Sequence, residues 1–551
     1  MEIQLKHREI KLGPMHVFIF FLCLMLIKYG FYGFRYFPVI DDWIEFGTYP
    51  IIPGVWENVI VKAGYYGSRP LATLSNPYIW GRFWDNMGIV FFILTLLHFF
   101  SGWLIFRIFE INRIPVRIPF LIVYGLLPLG SEATYWISAS SRILTGIFFM
   151  TLSCYCLSKW IHEEENRRKK VLLGLFVIFH LLSMGYYEQV SLLSFFFASA
   201  IIALNFRALK KKWIAFLPPA HFLLLVLYYK IFENVGLVAA RGQFVSKEAG
   251  KHAALVLGKI AEIFTSAQIP LYVNGFRRGS AILRQESMGY LVLILFFSGL
   301  TFWLAWKQET GTLPAQNGLK ILSGRNGLKI LFGVGLFSAP LLLYFIIQWP
   351  AISYRNAFPS LIGLGLVLDG LAGILFTGRP GKLIHALALS GLVFVFLVVN
   401  ISEITDYKHI SEIDALICNR IIEASEGTSL FDGETKAFVF NTRPLYAELN
   451  ISYQEHIHNV TESDWALTGA IRAVSRNIGV RQVVPVRDSQ RIENLESLTS
   501  AHLLFGIDEN SRVFRLTYIQ QDEEILLYAI QGGELFGRIA ENTFIRMHEA
   551  T

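Results

Sequence analysis

Two adjacent carboxylates, Asp41 and Asp42, lie in the sequence FPVIDDWIEF just after the first apolar stretch of the chain. Acidic side chains at the edge of a bilayer are costly unless they face water, a cation or a polar substrate. The pair is therefore a candidate site that could take a proton from a hydroxyl group or hold a divalent cation. A second interpretation is that the two residues only cap the next helix and mark a boundary.

Five further charged residues lie beside aromatic, glycine or proline residues at the ends of apolar runs. They are Arg69 in GYYGSRPL, Glu132 and Arg142 around GSEATYWISASSR, Glu188 in GYYEQ, and Arg355 in ISYRNAFPS. Arginine offers a planar fork of donors suited to phosphate, and aromatic faces suit sugar rings. We expect the seven residues to line one cavity, whose chemistry fits a sugar phosphate carried on a lipid.

The composition requires that membrane helices position these residues. The chain has 551 residues, of which 54% are hydrophobic and only 17% charged, whereas soluble chains carry about a quarter charged residues. This excludes the soluble, disordered and disulfide-rich classes, and the four cysteines form no metal-binding spacing. The net charge of +7 does not indicate nucleic-acid binding, because the basic residues lie between apolar runs.

Eleven segments are apolar enough to predict membrane spans. Their centres are Cys23, Leu96, Tyr124, Phe149, Val177, Phe196, Leu223, Leu295, Leu341, Gly365 and Val393. Lysine and arginine are denser in the connections that place the N-terminus in the cytoplasm, and an odd span count then places the C-terminus outside. Two long external loops, 35–85 and 233–286, are expected to be ordered, the second with a helix over 253–264 lying along the membrane surface.

The composition changes near Asn400, so the prediction divides the chain into a membrane module, residues 1–400, and a soluble extracytoplasmic α/β domain, residues 401–551. Helices are predicted at Ser411–Glu426 and Asp464–Asn477, and strands at Ala437–Phe440, Gln482–Val486, Val513–Tyr518 and Ile525–Ile530. The domain shows no catalytic triad, phosphate loop or metal spacing. Binding of an acceptor or a partner is its expected role.

This order of elements resembles the GT-C class of integral-membrane glycosyltransferases, with a basic N-terminus, one span, an acidic pair in the first external loop, many spans and an extracytoplasmic tail. The residues that carry the resemblance are Asp41 and Asp42, Arg69-Pro70-Leu71, and the stretch from Glu132 to Arg142. It implies a polyprenyl-phosphate sugar donor, inversion at the anomeric carbon and a cell-envelope glycan, lipid or protein as acceptor. It further implies that Asp41 or Asp42 is the general base or a metal ligand, and it leaves open whether a divalent cation takes part.

Within this interpretation Arg69, Arg142 and Arg355 are candidates for binding phosphate. Glu132 and Glu188 would hold sugar hydroxyls or orient the arginines. Two other classes stay open: a transporter or flippase for lipid-linked or polar envelope precursors, and a non-catalytic assembly protein. Inverted repeats would favour a transporter, and the sequence shows none.

Overall fold

The computed structural model describes residues 14–62, 64–114, 116–236, 248–307, 324–347, 352–443, 458–492, 502–521 and 524–547. The basic N-terminal stretch used for the orientation, with Lys6, Arg8 and Lys11, lies outside these ranges. Part of the predicted loop 233–286 also lies outside them.

The described chain is mainly helical. Its α-helices are α1 Pro14–Gly30, α2 Pro70–Tyr78, α3 Gly88–Ile111, α4 Ile118–Leu126, α5 Glu132–Tyr135, α6 Ile137–His162, α7 Asn166–Met184, α8 Glu188–Leu204, α9 Leu217–Ile231, α10 Ala249–Phe264, α11 Gln268–Glu286, α12 Met288–Lys307, α13 Arg325–Ser338, α14 Tyr354–Ala357, α15 Leu361–Leu375, α16 Gly378–Ala424 and α17 Asp464–Ser475. Between α1 and α2 the chain forms two short π-helical segments, Trp43–Thr48 and Trp56–Val61.

Eight helical segments among the described residues are long and apolar enough to cross a membrane, which makes this a polytopic membrane protein. Four of the eleven predicted spans are not among the eight: α1 and α8 have 17 residues each, the predicted span at Tyr124 is a helix of nine, and the one at Val177 is α7, with 19 residues. The segment Ala249–Glu286, predicted as part of an external loop, is one of the eight. It contains α10, so the helix expected over 253–264 is present, whereas its expected position along the membrane surface stays a prediction.

Glycine residues allow two close helix crossings in the membrane module. A methyl group at Gly363 of α15 would lie 2.0 Å from the backbone nitrogen of Phe337 in α13. A methyl group at Gly279 of α11 would lie 2.1 Å from the carbonyl oxygen of Val398 in α16. Because lipid tails are as apolar as leucine, such close backbone packing is a main source of helix association in membranes.

Two basic side chains of the membrane module, buried Lys28 and partly exposed Arg278, have partners inside the protein. Lys28, near the end of α1, is 2% exposed and donates to the carbonyl of Gly125 at 3.0 Å. Arg278 in α11 forms two hydrogen bonds to the Asp406 carboxylate, at 2.8 and 2.9 Å. Both cations therefore have protein partners and do not need a lipid headgroup as an acceptor.

Helix α16 joins the membrane module to the strand-rich C-terminal domain. Its 47 residues give a length of about 70 Å, well over the thickness of a bilayer core. The predicted domain boundary at residue 400 lies inside this helix, and the predicted helix Ser411–Glu426 is its last part. The change in composition therefore marks the point where one continuous helix changes its surroundings.

The C-terminal domain is built on one seven-stranded sheet with the order β2-β1-β3-β4-β5-β6-β7. The strands are β1 Lys436–Thr442, β2 Gln482–Arg487, β3 Leu503–Ile507, β4 Val513–Gln521, β5 Glu524–Ala529, β6 Leu535–Ala540 and β7 Thr543–Arg546. The first three in sheet order pair in parallel, and the others are antiparallel. Four strands match the prediction, whereas β3, β6 and β7 were missed.

Candidate functional site

The acidic pair follows a backbone turn with an unusual conformation. Ile40 has a φ of 39°, in the left-handed region that β-branched residues rarely adopt. The turn is closed by the backbone nitrogen of Asp42, which donates to the carbonyl of Val39 at 2.9 Å. The π-helical segment Trp43–Thr48 begins immediately afterwards. The turn directs the two neighbouring carboxylates into different environments.

Asp42 is completely buried, and both of its carboxylate oxygens accept backbone hydrogen bonds. Oδ1 accepts from the nitrogen of Ser138 at 2.8 Å, and Oδ2 accepts from that of Val39 at 3.2 Å. Ser138 lies in the first turn of α6, where unpaired backbone donors and the helix dipole favour an anion. Burial nevertheless raises the pKa of Asp42 to about 8, against the effect of these hydrogen bonds.

Asp41 is only half-buried and lies within electrostatic range of the Arg142 guanidinium and the Tyr49 hydroxyl. The pair is therefore divided by environment. Asp41 retains contact with solvent, whereas Asp42 ties the turn to the start of α6.

Arg142, one helical turn after Ser138 in α6, forms an ion pair with Glu45. The other oxygen of the Glu45 carboxylate accepts from the side-chain amide of Asn76 at 2.6 Å. The side chains of Arg142 and Glu45 are 14% and 17% exposed, so the pair is largely shielded from solvent. Glu45 therefore holds Arg142 on the side of the site that contains Asp41.

Arg69 and Glu188 form a second shielded ion pair. Arg69 Nε donates to both carboxylate oxygens, at 2.9 and 3.0 Å. The guanidinium also lies over the Tyr187 ring, 4.6 Å from its centroid. The hydroxyl of Tyr187 in turn donates to the side-chain oxygen of Asn356 at 2.5 Å. Tyr187 thus links this pair to the segment that holds Arg355.

Glu132 and Arg355 meet where the short helices α5 and α14 pack together. Glu132 is completely buried, and one carboxylate oxygen accepts from the backbone nitrogen of Arg355 at 2.9 Å. The Arg355 guanidinium lies over the Trp136 ring, 4.8 Å from its centroid. Glu132 is thus placed to fix the backbone of Arg355.

Electrostatic interactions connect these groups into one cluster. The charge of Arg142 interacts with those of Asp41, Arg355 and Glu188, so that four separate parts of the chain, including that of Arg142, contribute to the cluster. The Tyr344 hydroxyl interacts with Arg355, Glu188 and Arg69. All seven residues singled out in the sequence therefore belong to one connected region, with Asp42 and Glu132 buried beneath it.

A buried tyrosine and a buried glutamate of α16 lie next to the cluster. The Tyr407 hydroxyl of α16 interacts electrostatically with Asp42, Glu132 and Glu403. Glu403 is 1% exposed and accepts from the hydroxyl of Ser131 at 3.0 Å. The long helix α16 thus contributes the buried polar side chains of Glu403 and Tyr407 to the site.

Several residues that hold the cluster together were not predicted from the sequence. They are Glu45, Asn76, Trp136, Tyr187, Tyr344, Asn356, Glu403 and Tyr407. Glu45 had the clearest signal, since it lies four residues after Asp41 in FPVIDDWIEF, one turn further along a helical segment. The uncharged members had no signal of their own, because aromatic and amide residues are common in membrane helices.

Within the described ranges, no three His, Cys, Asp or Glu side chains are grouped so that they could hold a metal ion. The site as described consists of carboxylates, guanidinium groups and aromatic rings.

The chain matches no known family model, no curated protein and no solved structure. The function must therefore be argued from the site itself.

Proposed function

We propose that this protein is a membrane glycosyltransferase that moves a sugar from a polyprenyl-phosphate-linked donor to a cell-envelope acceptor on the extracytoplasmic face. The observation that carries the proposal is the convergence of Asp41, Arg142 and Arg355 in one region of a polytopic membrane protein. A half-buried acid and shielded cations in one region match the two places where charge changes during glycosyl transfer.

In the proposed reaction, the acceptor oxygen attacks the anomeric carbon of the sugar. The bond from that carbon to the phosphate oxygen breaks, and the polyprenyl phosphate leaves with the bonding electron pair. Asp41 takes the acceptor proton, because it is the member of the acidic pair that retains solvent contact. Asp42 has a positioning role, since both of its oxygens accept backbone hydrogen bonds.

The leaving phosphate gains negative charge, which guanidinium groups stabilise best when they are already oriented and shielded from water. Arg142 and Arg355 are assigned this role because their charges act on each other, which favours an anion between them. Arg69 is held by Glu188 and Tyr187 and completes the cationic wall. The buried rings of Trp136 and Tyr187 lie against the guanidinium groups of Arg355 and Arg69 and help to hold these cations in place.

The test is sugar transfer by the purified protein from a radiolabelled polyprenyl-phosphate sugar pool to envelope acceptors. Asp41→Asn should lower the rate by about 10² to 10⁴-fold, the usual contribution of a positioned general base. Glu57→Gln, which changes an exposed acid in the same loop, should retain the wild-type rate. Transfer that survives in Asp41→Asn would defeat the assignment of the base.

The same purified protein can be used to test the alternative function, a transporter or flippase. Protein reconstituted into vesicles with a fluorescent lipid-linked sugar would move the label between leaflets without releasing free polyprenyl phosphate. That result would replace the enzyme with a flippase. Release of polyprenyl phosphate together with a glycosylated acceptor supports the enzyme.

A further inference from the structure

Helix α17 of the C-terminal domain packs directly on the segment that follows the acidic pair. Gly469 of α17 faces Ile44, and a methyl group at Gly469 would lie 2.3 Å from the Ile44 Cγ1 atom. From the loop toward the helix, a methyl group at Gly47 would lie 2.5 Å from the Cβ atom of Ala473 in α17. The hydroxyl of Thr48 donates to the carbonyl of Gly469 at 2.8 Å. The two backbones are therefore as close as their side chains allow.

Two more contacts join the domain to the same loop. Asp414 in α16 is completely buried, accepts from the backbone nitrogen of Val460 at 3.0 Å, and also faces the Trp43 side chain. Arg476, just after α17, forms an ion pair with Asp85 near the end of the loop. The segment Trp43–Thr48 is thus held at its beginning, its middle and its end.

The backbone of the supported segment has an unusual conformation. Ile40 is in the left-handed region, and the residues after Asp42 form a π-helix, a rare conformation that occurs mostly as single turns and is frequent at functional sites. Strained conformations persist only where the surrounding structure fixes them. The chain between Ile40 and Thr48 carries Asp41 and Glu45, so whatever fixes this backbone also fixes the proposed base and the partner of Arg142.

We propose that helix α17 is a positioning element for the Asp41 site, acting through the contact between Gly469 and Ile44. The C-terminal domain is then part of the catalytic apparatus, in addition to any role in binding an acceptor. The catalytic consequence rests on the proposed function, whereas the effect on the geometry of the loop does not.

The contact suggests a compensating pair of variants. Gly469→Ala forces the loop and α17 apart, and alanine is the better helix former, so α17 itself is not weakened. Ile44→Ala removes the two atoms nearest to the added methyl group and leaves the Ile44 Cβ atom at 3.4 Å, an ordinary contact. The double variant should therefore restore the spacing. Trp465→Ala is the control, because Trp465 is 50% exposed on the same helix.

The first readout is sugar transfer. Gly469→Ala should lower kcat by at least about tenfold, because an error of about 1 Å in placing a catalytic group costs up to 10²-fold. The KM for the donor should change by a smaller factor than kcat, because Arg69 and Arg355 lie on other segments and only Arg142 is paired with the loop, through Glu45. The double variant should recover most of the lost kcat, and Trp465→Ala should match the wild type. A wild-type kcat in Gly469→Ala, or no recovery in the double variant, would overturn the proposal.

The second readout does not need activity. A cysteine is placed by Asp41→Cys, and its labelling by a membrane-impermeant maleimide is timed in full-length protein with and without Gly469→Ala. The proposal requires the rate to change with Gly469→Ala and to return in the double variant. An unchanged rate overturns the positioning role even if sugar transfer is observed. A changed rate in a protein that transfers no sugar retains the positioning role and refutes the proposed function alone.

Discussion

Replacing Glu188 by glutamine tests whether this carboxylate serves mainly to hold Arg69. The two residues are 119 positions apart, and Arg69 Nε lies 2.9 and 3.0 Å from the two carboxylate oxygens. Glutamine keeps the size of the side chain and one acceptor oxygen, so the change removes little except the charge. Arg69 would remain over Tyr187 without a counter-ion.

The expected loss of stability follows from how far the ion pair is buried. Removing one partner of a fully buried pair costs about 3–5 kcal/mol, because it leaves an uncompensated charge. The Arg69 and Glu188 side chains retain 18% and 24% exposure, so solvent screens part of that cost. We expect Glu188→Gln to lower the free energy of unfolding by about 2–3 kcal/mol. Arg69→Gln combined with Glu188→Gln should cost less than the sum of the single variants.

The assay is denaturant unfolding in detergent, followed by tryptophan fluorescence. Glu248→Gln is the matched control, because Glu248 forms an ion pair of similar length, 3.0 Å, with Lys251, and both side chains are well exposed at 65% and 80%. Its effect should stay within about 0.5 kcal/mol. If Glu188→Gln proves as mild as the control, or if the two single effects simply add, the pair does not organise the site and Glu188 is better assigned to the substrate.

Two further predictions concern packing and pH. Gly279→Ala should lower the free energy of unfolding by about 1–3 kcal/mol, because its methyl group would meet the Val398 carbonyl. Gly299→Ala is the control and should be neutral or stabilising, because there is open space around Gly299. Equal stabilities of the two variants in denaturant would contradict the close crossing of α11 and α16. The pKa of Asp42 is raised to about 8 by burial, so the folded state binds a proton that the unfolded state releases near pH 4. The stability of the wild type relative to Asp42→Asn should therefore fall as pH rises from about 4 to about 8, by up to about 1.4 kcal/mol per pH unit, and a constant difference would show that Asp42 stays ionised.

The prediction from sequence was most accurate for elements whose structure depends on the residue types in a short stretch of chain. Long apolar runs predicted membrane helices because the bilayer requires them. The four predicted strands that the structure contains lie in short runs rich in β-branched, aromatic and other apolar residues. Of the missed strands, β3 and β6 include a glycine, Gly506 and Gly537, which weakens the strand pattern, and β7 has only four residues.

The candidate site was predicted by residue type and position along the chain, but its internal roles were not. Asp41 and Asp42 are equivalent in the sequence, yet one is half-buried and the other completely buried. The difference depends on the turn at Ile40 and on the start of α6, which is nearly 100 residues away. No local pattern contains that information.

By itself, the sequence determined that this chain folds as membrane helices followed by an α/β domain, because apolar composition and periodicity act locally. It also marked the charged residues whose placement at a membrane needs a reason. Only the tertiary structure decided which arginine pairs with which carboxylate, and that Gly469 of the C-terminal domain packs against the loop of the acidic pair. Such contacts depend on distances between segments hundreds of residues apart, and only the folded chain sets those distances.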